Sequence, residues 1–331
     1  KILQEQGFNA IQGIGGYVFL DTPNDEGLHR TYVYAPADKR AKAPEKYYSA
    51  ARMLNFPNTK ELLTPQVWAK ADLGTYLTFN LKMQDAFKYS STLVDRIAGE
   101  PGVFNDMWDS LRDDAHGPKI DIYKELINEL KERGTVISDV LQPVDERSER
   151  MLIAIEVKDA KLVAKTVAKF FKDDPTARRK VFEGIEIWEI QNEQTAASDG
   201  PMLSIEGTDF VTADVKKEDE EEEDKKKLPN MAVTVVEGHL VIGTHIDYVQ
   251  KMITNTKAEG PNLKDLDAFK RVNTRLVDLG QGEDSFRFFA KTEESYRATY
   301  EMLKQNKLPQ AETMFARLLN AMLDSTPDDG K

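Results

Sequence analysis

Residues 151–171 read MLIAIEVKDAKLVAKTVAKFF. Met151–Val157 is apolar apart from Glu156, which suits a strand covered on both faces. Asp159 then stands where a carboxylate can accept from the free amides of a helix's first turn. Beyond it Leu162, Val163, Val167, Phe170 and Phe171 recur at helical spacing, while Lys161, Lys165, Lys169 and Lys172 fall on the outer side. The stretch predicts a strand and then an amphipathic helix over Ala160–Phe171, and this alternation sets the fold class.

Downstream the same logic continues. Ile185–Ile190 reads as a strand with Ile185, Ile187 and Glu189 on one face and Trp188 on the other. Met231–Val236 and Leu240–Gly243 flank Glu237-Gly238, a two-residue loop with glycine where a positive φ is wanted, so a tight hairpin is expected. A helix over Asp247–Ile253 follows. The intervening residues 191–230 are polar, with short strands expected at Met202–Ile205 and Phe210–Ala213. Within them the run Glu218, Asp219, Glu220, Glu221, Glu222, Glu223, Asp224, bracketed by Lys216–Lys217 and Lys225–Lys227, predicts a mobile acidic loop near 215–228.

Upstream, Gly13, Gly15 and Gly16 precede Tyr17–Leu20, and a polar turn leads to the strand His29–Ala35, which together read as a hairpin. A phosphate cradle would need its glycines after a strand and before a helix, and that order is missing. A short helix is expected at Glu45–Leu54 and a boundary at the Pro57–Pro65 connector. Thr75–Leu81 reads as a strand, Met83–Ile97 as a helix and Phe104–Leu111 as a second. Ile120–Leu130 reads as a third helix stopped by Gly134, with a strand resuming at Thr135–Leu141. Toward the end Leu263–Leu276 predicts a long helix, Phe286–Ala290 a short strand, and Tyr296–Leu303 and the residues after Pro309 further helices.

These segments predict an α+β protein with mixed or antiparallel sheets covered by amphipathic helices. The strand-then-helix layout of Thr75–Leu81 recurs at Phe286–Ala290, which suggests repeated units: residues 1–65 the end of one, 66–262 a complete one, 263–331 the helical start of another.

Composition narrows the function classes. A chain of 331 residues with 40% hydrophobic content can bury a sizeable core. Its net charge of −12 opposes nucleic-acid or anionic-membrane binding and suits a basic partner or a cation. With no cysteine, thiolate metal sites, disulfides and cysteine nucleophiles are excluded. No apolar run is long enough to span a bilayer. The chain opens at Lys1 inside an apparent helix, so a piece of a longer or processed polypeptide is expected, with any membrane anchor in the missing N-terminus.

No nucleophile elbow, phosphate loop, zincin helix or kinase set is present. His239 and His245 flank one strand and would sit about 20 Å apart along it, too far to share a metal. They read as ordinary surface or edge histidines. The acidic pairs Asp113/Asp114, Asp173/Asp174 and Asp328/Asp329 lack the spaced ligands and central glycine of a calcium loop. Trp68, Trp108 and Trp188 lie in apolar patterns and read as core. No catalytic residue, metal ligand or cofactor is therefore assigned.

The sharpest surface feature is the lysine stripe Lys161, Lys165, Lys169 and Lys172, whose spacing aligns like charges on one helix face. An acidic partner would relieve their repulsion, and Glu218–Asp224, in this chain or in a neighbouring copy, is the candidate. The plainer reading is a solvated helix face and a solvated loop, since exposed ion pairs contribute little.

Gly13-Ile14-Gly15-Gly16 with Leu28-His29-Arg30, Thr75–Leu81, Ile120-Asp121-Ile122 with Glu125-Leu126, Ala154–Asp159, Phe182–Ile190 and Val235–Val241 with Gly243 carry a resemblance. Across most of residues 1–310 the chain resembles the later part of a planctomycete-type family of secreted or membrane-anchored proteins carrying a domain of unknown function. The resemblance implies an exported protein of repeated α+β units and brings no catalytic residues. The expectation is a non-enzymatic exported envelope or surface protein that works by binding a protein partner or by self-association. The alternative is a hydrolase or a small-ligand or cation-binding protein, its site built from scattered carboxylates and tyrosines.

Overall fold

A computed structural model describes residues 1–21, 23, 26–59, 64–115, 117–145, 148–191, 231–280, 283–294, 297 and 300–301. In chain order its elements are α1 (Ile2–Glu5), β1 (Gly13–Asp21), β2 (Glu26–Tyr34), β3 (Thr75–Asn80), α2 (Met83–Ala98), α3 (Val103–Asp113), α4 (Ile122–Glu125), β4 (Leu130–Val140) and β5 (Glu149–Val157). Then come α5 (Ala160–Phe171), β6 (Ala177–Phe182), β7 (Ile185–Ile190), β8 (Met231–Val236), β9 (His239–Gly243), α6 (Ile246–Lys257), α7 (Asp267–Asp278) and β10 (Phe286–Ala290).

The apolar run at Met151 lies in the interior of an eight-stranded sheet ordered β10-β3-β4-β5-β9-β8-β7-β6, with every pairing antiparallel. After β5 the chain crosses through α5 to the far edge at β6. It then winds back inward through β7 and β8, and β9 closes against β5 with Leu152 opposite Gly243. Two faces of β5 are buried because helices cover the sheet on both sides. On one side Ile137, Leu152, Ala154, Ile187 and Val241 pack under Tyr248, Val249, Met252 and Ile253 of α6. On the other, Val157, Trp188, Val233 and Leu240 pack under Val163 and Val167 of α5. Each such aliphatic side chain taken fully from water contributes roughly 1.5–3 kcal/mol, so this double layer is where the fold's driving force is concentrated.

Local chemistry accounts for the element ends. Asp159 accepts from the amides of Lys161 at 2.9 Å and Leu162 at 3.0 Å, as its position before the helix foretold. Glu237 and Gly238 both take positive φ, at 49° and 70°, as a two-residue hairpin loop with matching twist requires. The same Glu-Gly pair recurs at Glu183-Gly184, with φ of 50° and 81°, joining β6 to β7.

Several expectations are corrected. The helix expected at Glu45–Leu54 is a 3-10 turn over Ser49–Leu54. The helix expected over Ile120–Leu130 is the single turn α4 followed by a 3-10 turn, and Gly134 is no helix stop, because β4 already begins at Leu130. Gly134 lies inside that strand opposite Phe79, whose ring occupies the space a side chain would take. Strand β6 had no counterpart in the sequence reading. Phe286–Ala290, expected to open a further unit, pairs with β3 as the outer strand of the same sheet. The expected elements at 202–205, 210–213 and after 302, and the acidic loop at 215–228, lie outside the described residues.

The hairpin β1–β2 forms a separate two-stranded sheet. Its inner face is tied to the α7 end of the molecule: Tyr17 donates to the Leu279 carbonyl at 3.3 Å, Arg30 pairs with Asp284 at 3.1 Å, and Arg271 pairs with Glu26 at 2.8 Å.

Candidate functional site

The strongest concentration of buried charge lies at one end of the central strands. Asp139 of β4 stands opposite Arg150 of β5, and the guanidinium meets both carboxylate oxygens at 2.8 Å. Its remaining nitrogen donates to Asp247, in the first turn of α6, at 2.7 Å. One turn further, Lys251 reaches Asp139 at 3.0 Å and Asp72 at 2.8 Å. The Tyr248 ring lies between these cations, 4.7 Å from the guanidinium carbon, and its hydroxyl is buried without a hydrogen-bond partner among the described residues.

The electrostatics of this cluster limit its chemistry. Burial alone would lower Arg150 and Lys251, but the hydrogen bonds they donate to Asp139, and to Asp247 and Asp72 respectively, outweigh it and raise both. Burial also pushes the Tyr248 hydroxyl well above its ordinary range. At neutral pH Lys251 is therefore charged and Tyr248 neutral, so neither acts as a general base. Asp139 is held by two cations at once. The arrangement can lock β4, β5 and α6 in register.

A second network sits on β3 and β4. Tyr76 donates to Gln66 at 2.9 Å, Gln66 to Thr135 at 2.7 Å, and Arg133 reaches both Thr78 and Tyr76 at 3.2 Å. Beside it His239 of β9 stands opposite Glu156. Its ring meets Trp68 edge-on at 5.7 Å, its Nδ1 lies 2.6 Å from the Glu237 carbonyl, and its Nε2 is buried without a hydrogen-bond partner among the described residues. Burial lowers the imidazole below its ordinary value, leaving it neutral at neutral pH. Both His239 and His245 are buried, which corrects the expectation of surface or edge histidines: β9 is an interior strand, and His245 stands at the N-terminal end of α6. Among the described residues no three His, Cys, Asp or Glu side chains gather as a metal site would require.

Two cavities among the described residues bear on this. One of about 420 Å³ is lined by Gln142, Glu293, Arg297, Tyr300 and Glu301, and one of about 220 Å³ opens beside α5 over Trp188, Thr234 and Val235. No member of either buried network lines them. The larger cavity is itself polar, with Glu293, Glu301, Arg297 and Tyr300 in its lining and Arg297 paired with Glu294 at 2.8 Å, while the smaller one is mostly apolar.

The lysine stripe is only partly free. Lys161, Lys165 and Lys172 are exposed on α5, whereas Lys169 bends back to Glu125 at 2.5 Å, fastening α5 to the α4 turn. The acidic residues 218–224 lie outside the described residues.

The surface feature that motif reading missed is the outer face of the β1–β2 hairpin. Ile14, Val18 and Leu20 alternate along β1, with Val33 opposite Ile14, and they are exposed by 73, 75, 70 and 58%. The signal was present: Tyr17–Leu20 is apolar at every position, so both faces of that strand are apolar while α7 covers only one. A large exposed apolar patch marks a contact surface far more often than a solvated one does.

The fold and these surfaces define a helix-covered antiparallel α+β protein. No protein-family model, curated protein or solved structure matches the chain. No helix among the described residues is long and apolar enough to cross a membrane.

Proposed function

We propose that this is a non-enzymatic, exported envelope or surface protein that acts by binding or assembly, with the outer face of the β1–β2 hairpin as its contact surface. The observation that carries the reading is the row Ile14, Val18 and Leu20 with Val33, open on a two-stranded ribbon whose other face is engaged through Tyr17, Leu28, Arg30 and Glu26. A hairpin exposed to water on an apolar face is marginal by itself, and a partner supplies the missing layer. The non-enzymatic part rests on the two buried networks, whose charged groups are paired with one another and line neither cavity. Export rests on the family resemblance alone.

The test separates a contact face from a structural one. Val18→Ser with Leu20→Ser is expected to leave the thermal midpoint within about 3 °C, as for surface substitutions. It should also abolish most of the binding of a hydrophobic fluorescent dye to the native protein. A large fall in midpoint would mean that the face is packed within the fold, and undiminished dye binding would place the sticky surface elsewhere. Either result sinks the reading.

A further inference from the structure

We infer that the outer hairpin face docks on the same face of a second copy of this chain, forming a two-fold dimer. The inference rests on the preceding reading of that face as a contact surface and names its partner.

Charge argues for a partner whose contact face is itself uncharged. Paired across the ribbon, this face carries Ile14 with Val33, Gly16 with Thr31, Val18 with His29, and Leu20 with Gly27. It holds no carboxylate, ammonium or guanidinium group, so it offers an acidic or basic partner nothing to pair with. A lipid-seeking face would be ringed by bases and carried on a protein without a strong negative charge. This chain has net charge −12.

Shape argues for the same face. A two-fold axis lying in the interface and running across the ribbon reverses the strands, laying β1 on β1 of the partner copy. Ile14 then meets Leu20, and Val18 meets the gap above Gly16. On β2, Val33 fills the space over Gly27, and Thr31 meets His29. Bulky and glycine positions thus interlock in both directions, the self-complementarity that a closed two-fold contact demands. Gly16 must stay glycine for a separate reason: a Cβ there would lie 2.0 Å from the Arg30 carbonyl oxygen of its own hairpin.

Area sets the strength. Strands of nine residues, paired two wide, cover roughly 30 by 10 Å. That falls below the ~800 Å² per partner of a standard stable interface, so the dimer belongs to the weak, transient class. Because the two copies repel through their net charge while the contact itself is apolar, salt should tighten it, the reverse of a contact held by ion pairs.

The experiment is sedimentation velocity of the whole chain over a concentration series at low and high salt. A reversible monomer–dimer equilibrium is expected, tightened by salt and weakened at least tenfold by Val18→Asp. A chain that stays monomeric throughout, or a dimer that salt dissociates, overturns the inference. A second measurement does not depend on how Val18→Asp folds: the protein has no cysteine, so Thr31→Cys introduces a single thiol near the proposed axis. A short bismaleimide should couple Thr31→Cys into dimers and leave Val181→Cys, exposed on the opposite edge of the main sheet, monomeric. Equal coupling of both variants counts against the two-fold contact. If the chain is monomeric yet binds neutral lipid vesicles through Val18 and Leu20, the second copy is wrong and the contact surface stands. If the Ser variants also keep full dye binding, the contact surface itself fails.

Discussion

Arg150 is buried with its charge because Asp139 and Asp247 surround it. Replacing it by Met would leave Asp139 in the interior with only Lys251 beside it, and losing one member of a buried ion set costs about 3–5 kcal/mol. Urea unfolding should show that loss, whereas Lys161→Met on the exposed face should change stability by less than about 0.5 kcal/mol. His239 makes a pH prediction. Its folded pKa is depressed by burial from the ordinary value of 6.5, so the unfolded chain takes up the proton first as pH falls. The stability His239 contributes is present above about pH 6.5 and is lost as pH drops toward the depressed folded value. His239→Asn should flatten that part of the stability profile between pH 7.5 and 5.5, and an unchanged slope would assign the titration to another group. Neither residue was legible in the sequence. Arg150 closes a charged run that reads as a loop, and His239 abuts a turn. Tertiary packing buries them: β4 and α6 enclose Arg150, and the return of β9 to the side of β5 encloses His239.

At the scale of elements, α5 was legible to the residue because cap, period and apolar face agree. Asp159→Ala should remove the two cap bonds and cost about 1 kcal/mol, measurable as a loss of stability with unchanged fold. Strand β6 was illegible because Arg178, Arg179 and Lys180 disguise it. It is an edge strand, where such charges discourage pairing with other chains, and it is held by Arg179 to Glu186 and Lys180 to Glu189. The start of β4 was misread because Leu126 and Leu130 keep helical spacing across a change of element. Gly134, taken for a stop, is the seat of the Phe79 ring. Gly134→Ala would drive a methyl to 2.4 Å from that ring and should destabilise by about 1–3 kcal/mol, with Phe79→Leu recovering part of the loss.

For the whole molecule, the α+β class and the helix-covered antiparallel sheet follow from the local alternation, but the joining of β10 to β3 does not. Their pairing links positions about two hundred residues apart, Phe286 with Phe79, and no periodicity records it. The contact face was half legible: Val18 and Leu20 were visible as apolar, while the missing cover above them is a property of the assembled fold. Amide exchange should rank the regions by that assembly. Strands β5 and β9, covered on both faces, should exchange slowest, and the β1–β2 ribbon fastest among the strands. Protection of β1 rising with protein concentration would locate the contact directly.

The register at the mouth of the β7–β8 hairpin has a use of its own. Ile190 pairs with Met231, so the sheet holds the two ends of residues 191–230 side by side whatever lies between them. Closing a longer loop across fixed ends costs little, about 0.6 kcal/mol for each doubling of its length. That makes this junction a natural splice point. A two-residue Asn-Gly link, or an entire reporter domain whose own termini lie close together, should be accepted there with the eight strands intact.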